Sequence, residues 1–152
     1  FTTQNAQEQF VKMVKKYRAY QQYSENISVT LMNTLKEART ELVQAKEAAT
    51  NDKGCNTQRA ASYLTKLKNQ LKDMFEASAN MRKAYDQVSQ VEVALSGMNI
   101  SNDDTGERNR YWEECKEAFN NCIDAIKEAR NEVNLKRDEY FVQINNIIES
   151  KK

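Results

Sequence analysis

The sequence predicts an all-α protein: an elongated antiparallel bundle of three long helices, up-down-up, with coiled-coil-like packing. Three observations carry that expectation. The 152 residues include no proline and only three glycines. Proline costs a helix about 3 kcal/mol and glycine about 1, so little in the chain opposes long helices. Apolar residues recur alternately every three and four positions, the spacing of a heptad seam. Turn-forming residues cluster at two places, NDKGCNT (Asn51 to Thr57) and SGMNISNDDTGE (Ser96 to Glu107).

Those two breaks divide a single domain, 1–152, into helices at about 3–50, 57–96 and 107–149. The first seam runs from Phe10 through Val14, Tyr17, Gln21, Ser24, Ser28, Leu31 and Leu35 to Ala49. The second runs from Ala60 and Leu64 through Leu71, Met74, Ser78 and Met81 to Leu95, with a slip after Val88. The third runs from Trp112 and Cys115 through Phe119, Cys122, Ile126 and Val133 to Ile147. At 1.5 Å per residue each rod is roughly 60–70 Å long. Short turns make neighbours antiparallel, so the first and third helices should run the same way. Lys12, Lys15, Lys16 and Arg18 would then share an end with Asp103, Asp104, Glu107, Glu113, Glu114 and Glu117.

Polar seam residues at Gln21, Ser24 and Ser28 weaken the first helix. Ser24 and Asn26 are capable caps, so YSENIS (Tyr23 to Ser28) could close one helix and open a fourth. With no glycine or proline there, an unbroken helix is preferred. The near-repeat of LKEARTEL (Leu35 to Leu42) as IKEARNEV (Ile126 to Val133) is read as shared helical constraint. Leu35, Ala38, Ile126 and Ala129 take seam positions in both.

Composition narrows the chemistry. There is no histidine, so the commonest general base and metal ligand is missing. No phosphate-binding glycine loop and no CxxC occurs. The chain is therefore expected not to be an enzyme, with no cofactor and no metal. Its 23 basic and 22 acidic residues give a net charge of +1, which speaks against nucleic acid as a partner. Cys115 and Cys122 lie about 10 Å apart along one helix, too far to bridge. They read as buried thiols, and unpaired cysteines favour a reducing, cytoplasmic compartment. Cys55 sits in the first turn and is the candidate for an intermolecular thiol. Against that compartment stand two sequons, Asn26-Ile27-Ser28 and Asn99-Ile100-Ser101, which make Asn26 and Asn99 candidate glycosylation sites on a secreted or surface-exposed rod.

Function is expected at the aromatic end. On the three-rod layout Phe10, Tyr17, Tyr20, Tyr23, Tyr85, Tyr111, Trp112 and Phe119 all fall in one half. Tyr17, Tyr20 and Tyr23 fan too widely to share a narrow core. Exposed tyrosine and tryptophan are favoured anchors for protein partners. Tyr17, Tyr20, Tyr23, Tyr111 and Trp112 are therefore the candidate partner-binding residues of a non-catalytic binding module. A basic strip of Arg59, Lys66, Lys68 and Lys72 is the candidate contact for an anionic surface. The rod shape is shared by spectrin-type repeats, BAR-type membrane-bending dimers and rod-like surface receptors, and no motif selects among them. A dimeric membrane-binding scaffold and an extracellular or surface-anchored rod are thus the alternatives, with a homodimer as the state to test.

Overall fold

The computed structural model describes residues 3–50, 57–100 and 105–151. Every regular element among them is helical. They are α1 (Thr3–Glu25), a π-helical stretch (Asn26–Leu31), α2 (Met32–Thr50), α3 (Gln58–Lys72), α4 (Ala79–Ile100) and α5 (Thr105–Glu149). The all-α expectation holds. The expected three rods are in fact four. The first is α1, the π turn and α2 in sequence, continuous because Glu25 and Met32 on either side both have α-helical backbone angles.

The extra rod arises where a single helix was expected over 57–96. The chain reverses at residues 73–78 with neither glycine nor proline. Amides tighten to three-residue bonds: Met74 N–H donates to the Leu71 carbonyl (3.0 Å) and Ala77 N–H to the Met74 carbonyl (3.0 Å). Ser78 then caps α4, its Oγ accepting the Asn80 N–H at 3.1 Å. The same hydroxyl donates to Glu132 on α5, and Asn80 Nδ2 donates to the other Glu132 oxygen at 2.6 Å. This reversal lets α3 bury Ala60, Leu64, Leu67 and Leu71 while α4 buries Met81, Ala84, Val88, Val91 and Leu95. Each large apolar side chain fully buried is worth about 1.5–3 kcal/mol, which outweighs the few helical hydrogen bonds lost at the turn.

The reversal also turns α5 round. The first rod and α5 run antiparallel, as their contacts show. Tyr17 meets Phe141 (ring centroids 5.7 Å) and Tyr20 meets Tyr140 (5.5 Å). Ser24 Oγ donates to Asn134 Oδ1 (2.6 Å), and Arg108 Nη1 donates to the Ala49 carbonyl (2.9 Å). The basic start of α1 and the acidic start of α5 therefore lie at opposite ends. Asp103 and Asp104, the rest of that expected pairing, lie outside the described residues.

The α3–α4 hairpin is about half the length of its neighbours, some 20–35 Å against roughly 70 Å for α5. The molecule therefore has a four-helix body and a two-helix stalk. Burial marks the boundary. Among the described residues the first buried one is Ser24, and Val133 is the last. In the stalk Val11, Phe141, Val142 and Ile148 are all close to half exposed or more.

The π turn sits at this boundary, inside the stretch where a fourth helix could have started. A π turn holds one residue more than an α turn, so it shifts the phase of the buried face. Ile27 is fully buried where the heptad expectation placed Ser28, which is exposed, as is Gln21. Buried Thr34 donates to the Thr30 carbonyl at 3.1 Å, giving the disturbed ladder a local partner. Two residues before the bulge, the Ser24 hydroxyl accepts from Arg137 Nη1 at 3.1 Å while donating to Asn134.

Candidate partner-binding groove

α4 packs along α5 through the body, whereas α2 touches α5 sparingly. Two adjoining cavities open between α2 and α5, of about 230 and 340 Å³, and Arg39 lines both. On α2 the groove is built from Met32, Leu35, Arg39, Leu42 and Val43, a spacing that puts them on one face. On α5 it is built from Trp112, Phe119 and Ile123. Leu35 and Leu42 form a buried floor. Met32 (38% exposed) and Val43 (40% exposed) stand on the wall in contact with solvent.

The rim is cationic. Lys36, Arg39 and Lys127 line the larger cavity, and Arg39 and Lys116 line the smaller. The Arg39 guanidinium lies over the Phe119 ring at 5.8 Å. Lys46 and Lys116 both lie over Trp112, at 5.7 and 6.0 Å. Such cation–π contacts hold a charge against an apolar surface. Lys116 also pairs with Glu113 at 2.9 Å. Lys36, Arg39 and Lys127 make no ion pair among the described residues. No carboxylate lines either cavity. The opposite side of α5 differs: its grooves with α4 are lined by Glu114, Glu117, Asn121, Asp124 and Glu128.

No family model, no curated protein and no solved structure matches this chain.

The structure separates the five expected partner anchors. Tyr17, Tyr20 and Tyr23 lie on the stalk and at its junction with the body, packed with Phe141 and Tyr140. Trp112 sits some 40 Å farther along α5 than Tyr140, at 1.5 Å per residue. Tyr111 is at the Trp112 end, its ring against Gly97 and beneath Arg110 (4.9 Å). The single aromatic end was a product of the three-rod layout and does not exist. Half-burial raises the Tyr20 hydroxyl's pKa, and neighbouring Tyr140 adds to the effect while Lys136 opposes it.

Of the basic strip, Arg59 pairs with Glu41 (3.4 Å). Lys68 pairs with Glu92 (2.9 Å) and lies over Tyr85 (4.8 Å); the Glu92 hydrogen bond raises its pKa despite desolvation. Lys66 and Lys72 are exposed and form no ion pair among the described residues. Asn26 is half-buried in the π turn and accepts from Gln22 Nε2 at 2.9 Å. Asn99 is exposed near the end of α4, while Ser101 of its sequon and Cys55 lie outside the described residues. Cys115 and Cys122 are buried, and Cys115 Sγ donates to the Val91 carbonyl at 3.6 Å.

Sequence reasoning named Trp112 as a candidate but not its neighbours in the groove. The signal was there. Met32, Lys36, Arg39, Val43 and Lys46 repeat at four- and three-residue steps beside the first seam, and Lys116 and Ile123 flank the seam residues Trp112 and Phe119 at the same steps. These shoulder rows mix apolar and basic residues, so they register neither as core nor as an ordinary solvated face. Only the antiparallel pairing of α2 with α5 brings the two rows together. Among the described residues no group of three or more metal-ligating side chains could hold a metal, and no helix is long and apolar enough to cross a membrane.

Proposed function

We propose that this chain is a non-catalytic helical-bundle module that binds a protein partner in the α2–α5 groove, anchored at Trp112. The observation that carries the reading is an apolar trough, with exposed Met32 and Val43 and the rings of Trp112 and Phe119, left open where α2 and α5 touch sparingly. Partner anchors of this kind are aromatic side chains in partly desolvated pockets. The absence of histidine supports the non-catalytic part of the reading.

The test is a selection for binders from a displayed library of protein fragments, followed by a second round on Trp112→Ala and Val43→Glu variants. Binders should bind the parent chain and lose at least tenfold in affinity for either variant, both of which retain the parent's helical circular dichroism. Binders indifferent to both substitutions would overturn the reading.

A second reading, a dimeric scaffold, draws on the exposed stalk residues Val11, Phe141, Val142 and Ile148. Light scattering after size exclusion, with reductant present, would support it by giving twice the chain mass and would remove it by giving a monomer.

A further inference from the structure

We propose that the groove receives an acidic amphipathic helix of about four turns. This rests on the reading of the groove as a partner site and adds the chemistry of the partner. Three observations point to it.

The first is length. From Met32 to Lys46 on α2, and from Trp112 to Lys127 on α5, the trough extends roughly 21–23 Å, the length of a helix of about 14 residues. A helix lying in such a trough places its side chains at i, i+3 or i+4, i+7 and i+11 along the floor. Met32 with Ile123 at one end, and Val43 with Trp112 at the other, are the surfaces that such a row would cover.

The second is charge. Cations rise from both walls, Lys36, Arg39 and Lys46 on α2 and Lys116 and Lys127 on α5, with no carboxylate lining the trough. In a chain whose net charge is +1, this is segregation and not general basicity. The α5 residues Glu114, Glu117, Asp124 and Glu128 are all turned to the α4 side. A guest helix with Asp and Glu on both shoulders of its apolar row meets a base on each side.

The third is the state of those bases. Arg39, Lys46 and Lys116 rest over aromatic rings of the floor. An incoming apolar row takes their place on the rings while their charged ends swing out to the guest's carboxylates. The apolar lining of Met32, Leu35, Val43 and Ile123 favours such a row over the phosphates of a nucleic acid or a lipid headgroup.

Trp112 is the only tryptophan in the chain, so its fluorescence reports this site alone. The experiment uses the full chain and a displayed library of 14- to 18-residue helical peptides. Leucine is fixed at i, i+4, i+7 and i+11, and the flanking positions are drawn from Asp, Glu, Lys, Arg, Gln and Ser. Selection should return acidic flanks. A selected peptide should shift Trp112 emission and bind at least tenfold more weakly when salt is raised from 50 to 500 mM, ionic strengths at which screening lengths differ about threefold. The exposed double substitution Lys36→Glu with Lys127→Glu should weaken it at least tenfold, and a peptide with its acids changed to lysine should regain binding on that variant. Neutral or basic flanks that still require Trp112 would overturn the acidic chemistry and leave the groove a protein site. An absence of any Trp112-dependent peptide would overturn both. A Trp112 shift with anionic phospholipid vesicles or an oligonucleotide, and none with peptides, would assign the groove to phosphate-bearing ligands and overturn the proposal.

Discussion

Tyr111 packs against Gly97, with three of its ring carbons closer than a Cβ at that position would tolerate. The glycine sits within α4, where it costs about 1 kcal/mol relative to alanine, so its value lies in this close approach. Gly97→Ala should therefore destabilise the parent chain yet stabilise a Tyr111→Ala background by up to about 1 kcal/mol. Urea unfolding of the four proteins measures the cycle, and a gain of the same sign in both backgrounds would refute the packing role. Cys122 gives a second residue-level expectation. Its burial pushes the thiol up to about 12, whereas an unfolded cysteine ionises near about 8.5. Between those values only the unfolded chain sheds the proton. The thiol's contribution is therefore intact below about pH 8.5 and declines above it by about 1.4 kcal/mol per pH unit. Stability measured from pH 8 to 10.5 should fall more steeply in the parent than in Cys122→Ala. In the native state at pH 8, Cys122 should resist an aromatic disulfide reagent until the protein unfolds.

The α3–α4 turn is the element that decides the topology, and it was the least legible in the sequence. Its residues, Asp73 to Ser78, include no strong helix breaker. Leu71, Met74, Ser78 and Met81 keep the three-and-four spacing straight through the reversal. Periodicity records which side of a helix is apolar and is blind to the direction of the next helix. The readable hint was Ser78, a capping residue at a seam position with Asn80 two places on. By contrast, the long helices 3–50 and 105–149 were legible almost to their ends, because their apolar rows and the turns that bound them are unambiguous. The groove was legible only in halves, since its two rows belong to helices that the expected topology paired wrongly. Ser78→Ala removes a cap and the hydroxyl bond to Glu132 together, and should cost about 1–2 kcal/mol. Ser78→Asp should keep the cap but set a second carboxylate against Glu132, recovering less than the full loss. Thermal melts of the two variants against the parent test this, and an unchanged Ser78→Ala midpoint would mean that the turn is held by its apolar contacts alone.

At the scale of the whole molecule, body and stalk differ in how much core each has. Among the described residues every buried one lies between Ser24 and Val133. Local opening free energy follows buried apolar contact, so amides of α3, α4 and residues 110–130 should exchange with solvent only through global unfolding. Amides of residues 5–20 and 138–149 should exchange orders of magnitude faster through opening of the stalk alone. Hydrogen exchange followed by mass spectrometry resolves the two regions, and uniform protection would show that the stalk and body open as one unit.

The antiparallel pairing of α1 with α5 also has a mechanical meaning. Thr3 and Glu149 lie at the same pole, so a load applied across that pole pulls the two stalk helices apart sideways, one turn after another, like a zip. Such peeling breaks few contacts at a time and needs little force. It would run until it met the clasp of Ser24, Asn134 and Arg137 beside the π turn, where the filled four-helix interior begins. The stalk would thus yield and extend while the groove, in the body beyond the clasp, kept its shape under tension.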